Sequence, residues 1–184
     1  MNRHSTKTDN ANVADKVFLR RQATEGLSRL KVLDLYAGNN VLWSNFDTDR
    51  YYGVEIVPGK GSNLNAGCRR VIASLDLSDF NVIDCDSYGV PFDVIQQLFD
   101  NPTLIAGTVV IFTAISNKMS GISRRCLEMF GLASLSKKAR TPVNGLGIEL
   151  FYAALAQWGV EQVHRYTVKN SYSKHYGYFL VPTR

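Results

Sequence analysis

The stretch Asp84-Cys85-Asp86-Ser87-Tyr88-Gly89-Val90-Pro91 places two carboxylates, a hydroxyl and a phenol close together at the end of an apolar run, Phe80-Asn81-Val82-Ile83. That run reads as a short strand. Side chains alternate along a strand, so Asp84 and Asp86 share a face while Cys85 points away from it. Two carboxylates on one face of an apolar strand are costly unless something pairs with them. A phenol two residues past Asp86, on a tight Ser-Tyr-Gly turn, can stack on a flat ring. Asp86, Ser87, Tyr88 and Gly89 are therefore candidate catalytic residues, because strand-end carboxylates in apolar surroundings are where proton-handling groups are found. The plainer alternative is that the two aspartates cap a helix starting near Pro91.

A second acidic pair stands earlier in the chain. Asp34 ends the run Lys31-Val32-Leu33-Asp34-Leu35-Tyr36, Gly38 sits in the turn that follows, and Glu55 ends the run Tyr51-Tyr52-Gly53-Val54-Glu55-Ile56. A residue without Cβ lets backbone amides approach a ligand closely. An acid about 20 residues beyond the first strand can accept both hydroxyls of a ribose. This pair would serve a dinucleotide or S-adenosylmethionine. A pyrophosphate needs the fuller G-x-G-x-x-G, whereas Gly38 is followed by Asn39-Asn40-Val41-Leu42-Trp43. A carboxylate near the turn also repels phosphate and suits a ligand carrying ammonium and sulfonium charge. Capping a strand and shaping a turn is the bland alternative for Asp34 and Gly38.

These groups need a scaffold. The spacing predicts a leading amphipathic helix over 12–30 with Asn12 as its cap, and strands at 31–36, 51–56, 70–73, 80–86 and 108–115. Helix-compatible segments fill 41–46, 63–66, 92–99 and 123–130, and a longer helix covers 145–158. Two last strand-like runs, 160–168 and 176–181, have no helix between them and should pair antiparallel. Strands alternating with short helices imply right-handed crossovers and a mostly parallel sheet with helices on both faces. The expected fold is Rossmann-like α/β: seven strands, mostly parallel, with an antiparallel C-terminal hairpin. In such a sheet ligands bind outside the carboxyl ends of the strands. At 184 residues one domain is expected over 12–184, after a mobile polar tail over 1–11.

Val32-Leu33-Asp34-Leu35-Tyr36-Ala37-Gly38-Asn39-Asn40 resembles the first motif of class I S-adenosylmethionine-dependent methyltransferases, D-L-x-A-G-x-G in many RNA and DNA members. Asn40 stands where that family often has a second glycine. The resemblance implies that Asp34, Tyr36, Ala37, Gly38 and Asn39 hold the methionine end of the cofactor and that Glu55 binds the ribose. Ile56 would flank the adenine. Asp76 would meet the adenine amino group, with Asp79 and Ser74 as rivals, and Asp84 would lie on the cofactor side. Residues 84–91 resemble the fourth motif of amino-group methyltransferases, closest to D-x-D-P-F-G-x-P of the tRNA (guanine-N2) dimethyltransferase family. Asp84, Asp86, Tyr88, Gly89 and Pro91 match it, and Ser87 replaces the usual proline. The implied reaction is N-methylation of an exocyclic amine, with Asp86 taking up its proton and Tyr88 holding the ring. Cys85, facing away, is not expected to act as a nucleophile.

Charge is distributed unevenly. The first 31 residues carry seven Lys/Arg against three Asp/Glu, residues 32–117 four against ten, and residues 118–184 ten against three. Basic ends around an acidic middle suit a polyanionic partner, RNA before DNA, although charge runs are also ordinary solvated faces. The candidate nucleic-acid contacts are Lys118, Arg124, Arg125, Lys137, Lys138, Arg140, Arg165, Lys169 and Lys174. Tyr166, Tyr172, Tyr176 and Tyr178 are interleaved with the last of these as stacking residues or as ordinary strand residues. If the nucleic acid is folded, its target base must be extruded. Other readings are a methyltransferase for a small molecule or protein, and a non-catalytic binding protein of the same fold. Three scattered cysteines without metal-ligand spacing give no expectation of a metal and point to free thiols in a reducing, cytoplasmic setting. The longest apolar run, 104–115, is too short to span a bilayer, and the polar start does not resemble a secretory signal.

Overall fold

The structure is a computed structural model describing residues 12–57, 60, 62–116, 122–135, 143, 145–168 and 173–183. The expected tail over 1–11 lies outside the described residues. Seven strands form one sheet: β1 (Lys31–Asp34), β2 (Arg50–Glu55), β3 (Leu64–Asn65), β4 (Val82–Cys85), β5 (Val109–Ser116), β6 (His164–Val168) and β7 (Ser173–Leu180). Their order is β3-β2-β1-β4-β5-β7-β6. The first five pair in parallel, and β7 runs antiparallel to both β5 and β6. The expected Rossmann-like, mostly parallel architecture with an antiparallel C-terminal pair is the one observed.

Alternation along the strands sorts the core into two layers. Val32, Val82, Val109, Ile111 and Tyr176 face α1 (Val13–Ala23), where they pack on Leu19, Ala23 and Trp43. Leu33, Ile83, Val110, Phe112 and Phe179 face the other way. There they meet α2 (Cys68–Ser74), α3 (Phe92–Asp100), α4 (Arg124–Met129) and α5 (Gly147–Gln157). Helices therefore cover both faces, but unequally.

Two local expectations exchange places. The run Arg70-Val71-Ile72-Ala73 lies in α2, and the third strand is the short Leu64–Asn65 segment where a helix was expected. Val71 and Ile72 are buried side by side with exposed neighbours before and after them. That pattern fits one face of a helix, whereas a strand would separate the two, and so short an apolar run does not distinguish them by composition. Residues 41–45 form turns rather than a helix, and Trp43 is buried there against α1's layer. The leading helix stops at Ala23, with the Thr24 hydroxyl donating to the Arg20 carbonyl at 2.8 Å.

On the α1 side the strands end in charge. Asp34 continues the face of Val32, and Asp84 that of Val82. Asp84 is fully buried at 0% exposure. It accepts from Arg20 Nε at 2.7 Å and from Trp43 Nε1 at 2.7 Å, with Arg20 Nη2 at 2.6 Å. Arg20 is itself only 1% exposed. Burial works against its charge, but Asp84, then Asp86 and Asp34, outweigh that and hold its pKa above the ordinary value. Asp34 accepts from the Tyr36 amide at 3.1 Å and the Tyr51 hydroxyl at 3.0 Å. Burial, reinforced by the neighbouring Asp84 carboxylate, pushes its pKa up to about 8.

Removing one member of a buried ion pair strands the other in low dielectric. Arg20→Met should lower the unfolding free energy by about 3–5 kcal/mol in urea denaturation, and a paired apolar replacement of Arg20 and Asp84 should recover most of it. Asp34 gives a pH signature. Between the ordinary carboxylate value of about 4 and about 8, the folded chain holds a proton that the unfolded chain has released. Its contribution to stability therefore declines as pH rises through that window. Thermal melts from pH 5 to 8 should show this decline in the wild type and a flatter profile in Asp34→Asn. A steeper decline in the variant would contradict the assignment.

Candidate functional site

The carboxyl ends of β1, β2 and β4, with flanking β5 and β7, surround a cavity of about 610 Å³. It is built from turns. After β1, the Ala37 amide donates to the Val54 carbonyl at 3.0 Å and the Asn40 amide to the Ala37 carbonyl at 2.7 Å. Gly38 and Asn40 both take left-handed conformations, φ 53° and 57°. Asn is among the few residues other than glycine that tolerate this region. Asn40 therefore preserves the turn that a second glycine would make. Gly53 allows the close approach of turn and strand, since a Cβ there would lie 2.9 Å from the Ala37 Cβ.

Tyr36, Ala37, Gly38, Asn39, Glu55 and Ile56 all line this cavity, together with Asp86, Ser87 and Tyr88. Glu55 accepts from the Val57 amide at 3.1 Å, and the Lys60 ammonium is 3.9 Å from its other oxygen. Ile56 is 71% exposed beside it. Opposite, Ser87 closes a turn by donating its amide to the Cys85 carbonyl at 2.7 Å, and Gly89 follows at φ 94°. The Gly89 carbonyl accepts from the Ile115 amide at 2.9 Å, tying the turn to β5. The Tyr88 ring stands out from this turn with 79% of its surface exposed.

Gly89 is not on the cavity wall, and three of the acidic candidates are placed elsewhere. Asp34 and Asp84 do not line the cavity, because both are buried beneath it and held by Tyr36, Tyr51, Arg20 and Trp43. Asp76 lies outside it on an exposed turn. It accepts from the Ser78 amide at 3.0 Å and hydroxyl at 2.7 Å, bonds that lower its pKa and cap the 3-10 turn Leu77–Asp79. Cys85 faces the opposite layer and is fully buried, which raises its thiol pKa well above the usual value.

Several cavity residues were not among the expected ones, and Lys16 bears most directly on the acids. Lys16 of α1 donates to Asp86 Oδ2 at 2.8 Å, Thr113 donates to Asp86 Oδ1 at 2.5 Å, and Arg20 is 3.8 Å from the same carboxylate. Lys16 and Arg20 are one helical turn apart on the face that carries Leu19 and Ala23. Two cations on an inward stripe, opposite strand-end aspartates, are the sequence signal that would have found them.

The four candidate basic residues that are described are divided among α4, β6 and β7. Arg124 and Arg125 are exposed on α4, where Arg124 pairs with Glu128 at 2.8 Å. Arg165, on the edge strand β6, lies 4.7 Å from the Tyr152 ring on the α5 side. Lys174 lines the cavity on the α1 side. Tyr176 is a core residue at 1% exposure rather than a stacking platform, and Tyr178 stacks on His164 at 4.4 Å. Lys118, Lys137, Lys138, Arg140, Lys169 and Tyr172 lie outside the described residues.

No protein-family model matches the chain, and no curated protein sequence matches it. Among solved structures, it is similar to Trm1 from Pyrococcus horikoshii in complex with S-adenosyl-L-methionine, at 14% identity and TM-score 0.55. That match covers 92% of this chain and 54% of the other, so the chain spans about half of that protein. The N-methyltransferase NodS from Bradyrhizobium japonicum WM9 matches at 12% identity and TM-score 0.52, covering 95% of this chain and 99% of its own. A SAM-dependent methyltransferase from Archaeoglobus fulgidus matches at 11% identity and TM-score 0.54, covering 91% and 93%. At these identities the likeness is one of architecture, and the chain has the Rossmann-like fold shared by these S-adenosylmethionine-dependent methyltransferases.

Proposed function

We propose that the chain is an S-adenosylmethionine-dependent methyltransferase acting on an exocyclic amine of a nucleic-acid base, RNA before DNA and guanine-N2-like in chemistry. The observation that carries this reading is the exposed Tyr88 ring beside Asp86, at the mouth of a cavity whose far side holds Glu55 and the Gly38 turn.

The residues fit the donor. Glu55 stands at a strand end where a ribose diol can meet it, and exposed Ile56 offers an apolar face for adenine. The left-handed Gly38 brings backbone close to the methionine end, and the buried Asn40 Oδ1 has no partner among the described residues. S-adenosylmethionine, when bound, supplies an electrophilic methyl on a sulfonium. The rest is the chain's contribution. Tyr88 stacks on the acceptor ring and fixes its orientation. Asp86, held in one rotamer by Lys16 and Thr113, keeps lone pairs for the acceptor N–H and takes its proton. A carboxylate is base enough for this step, because an arylamine nitrogen becomes strongly acidic as it gains the methyl group.

Incubation with methyl-labelled donor and pooled RNA, DNA, nucleosides and protein should label RNA. Asp86→Asn should reduce the rate by about 10²–10⁴-fold. Tyr88→Ala should reduce kcat/KM by about 5- to 150-fold, the worth of one base stack. Label only in a small molecule or protein would replace the nucleic-acid reading. Label in RNA that survives Asp86→Asn undiminished would remove Asp86 from the chemistry.

A further inference from the structure

A second, smaller cavity of about 180 Å³ lies behind the Ser87-Tyr88 turn, toward α3 and α4, and shares Tyr36, Ser87 and Tyr88 with the larger one. Two of its lining residues, Ser87 and Asp93, carry buried side-chain oxygens, Ser87 Oγ and Asp93 Oδ1, with no hydrogen-bond partner among the described residues. Buried polar atoms are nearly always satisfied, so two orphans on one cavity mark a position that a water or a ligand's polar edge completes. Arg69 also lines this cavity, 3.7 Å from Asp93 Oδ2. It lines in addition an open groove of about 550 Å³ that Arg70 and Arg125 share. The groove carries three guanidinium groups against one carboxylate, Asp100.

The groove and the small cavity share Arg69 as a wall, and the small and large cavities share Tyr36, Ser87 and Tyr88, so the three lie side by side. We propose that together they seat the acceptor strand of a single-stranded nucleic acid. Phosphates lie on Arg69, Arg70 and Arg125. A base flanking the target enters the small cavity, giving an N–H to Asp93 Oδ1 and a polar edge to Ser87 Oγ. Guanidinium groups match phosphate in shape and charge. A flat ring with both donor and acceptor edges matches a carboxylate beside a hydroxyl. The methyl donor is a poorer occupant, because it has no phosphate for the arginines and the ribose-binding candidate Glu55 lines only the larger cavity.

This inference rests on the nucleic-acid reading of the acceptor, and the test separates the two. Fluorescence anisotropy with a labelled single-stranded RNA should give binding by the full chain that weakens steeply with salt. Arg70→Glu/Arg125→Glu should weaken it at least tenfold and reduce the slope of log affinity against log salt by about two. Circular dichroism and adenosylhomocysteine titration verify that the variant is folded. Asp93→Asn, nearly unchanged in size, should alter the preference for the flanking base in methylation of RNAs varied at that position. RNA binding and methylation that ignore all three substitutions would overturn this seating while leaving the acceptor class intact. A wild-type chain that neither binds nor methylates nucleic acid overturns both. Equal competition by polyglutamate would reassign the groove to an acidic protein and overturn the proposal.

Discussion

The Arg20 guanidinium, buried against the Asp84 and Asp86 carboxylates at the end of β4, is the constraint on which the site depends. Three aspartates, Asp34, Asp84 and Asp86, gather on one face of the sheet where little water reaches them. Such a cluster is tolerable only with compensating charge and hydrogen bonds. Helix α1 supplies both through Arg20 and Lys16, Trp43 adds an indole N–H, and Tyr51 a hydroxyl. The helix is therefore held to the sheet by more than its apolar stripe. Its position is specified by where the carboxylates stand.

That arrangement divides labour among the acids. Asp34 and Asp84 are committed to holding the turn after β1 and the helix above it, so they shape the cavity floor without reaching its interior. Asp86 and Glu55 lie one step further out and face the cavity. The connections from β1 to β2 and from β2 to β3 carry no helix among the described residues. The α1 side is consequently thin at its carboxyl end, and the turn around Trp43 takes the place of a covering helix. The same thinness leaves Ile56 and Tyr88 exposed at the rim, where a flat ligand can cover them.

Much of the fold was legible because strand alternation and crossover rules are local and strong. Paired apolar residues such as Val32 and Leu33, or Val82 and Ile83, point to opposite layers without ambiguity. The exchange at 63–73 shows where this stops, since Val71 and Ile72 satisfy a strand or a helix equally until their neighbours are placed. Of the cavity residues, Gly38, Glu55 and 86–88 were legible from their strand-end positions, and Tyr36, Ala37, Asn39 and Ile56 from the resemblance of the first motif. Asp84 and Asp34 were expected at the ligand because a sequence does not show that a distant arginine will bury itself against Asp84, or that Tyr51 will bond Asp34. Arg20 and Asp84 are 64 positions apart, and only the packing of α1 brings them together. Asp76 lies off the cavity for a simpler reason: it follows helix α2 rather than a strand, and its carboxylate caps the turn at Ser78.

The central claim is that this cavity binds a sulfonium donor, with Glu55 on its ribose. Isothermal titration calorimetry of the full chain with S-adenosylmethionine, in wild type and Glu55→Ala, tests it most directly. The account predicts saturable binding at one site per chain and at least tenfold weaker binding in the variant. Absence of saturable heat in the wild type, or the same affinity in both proteins, would contradict it.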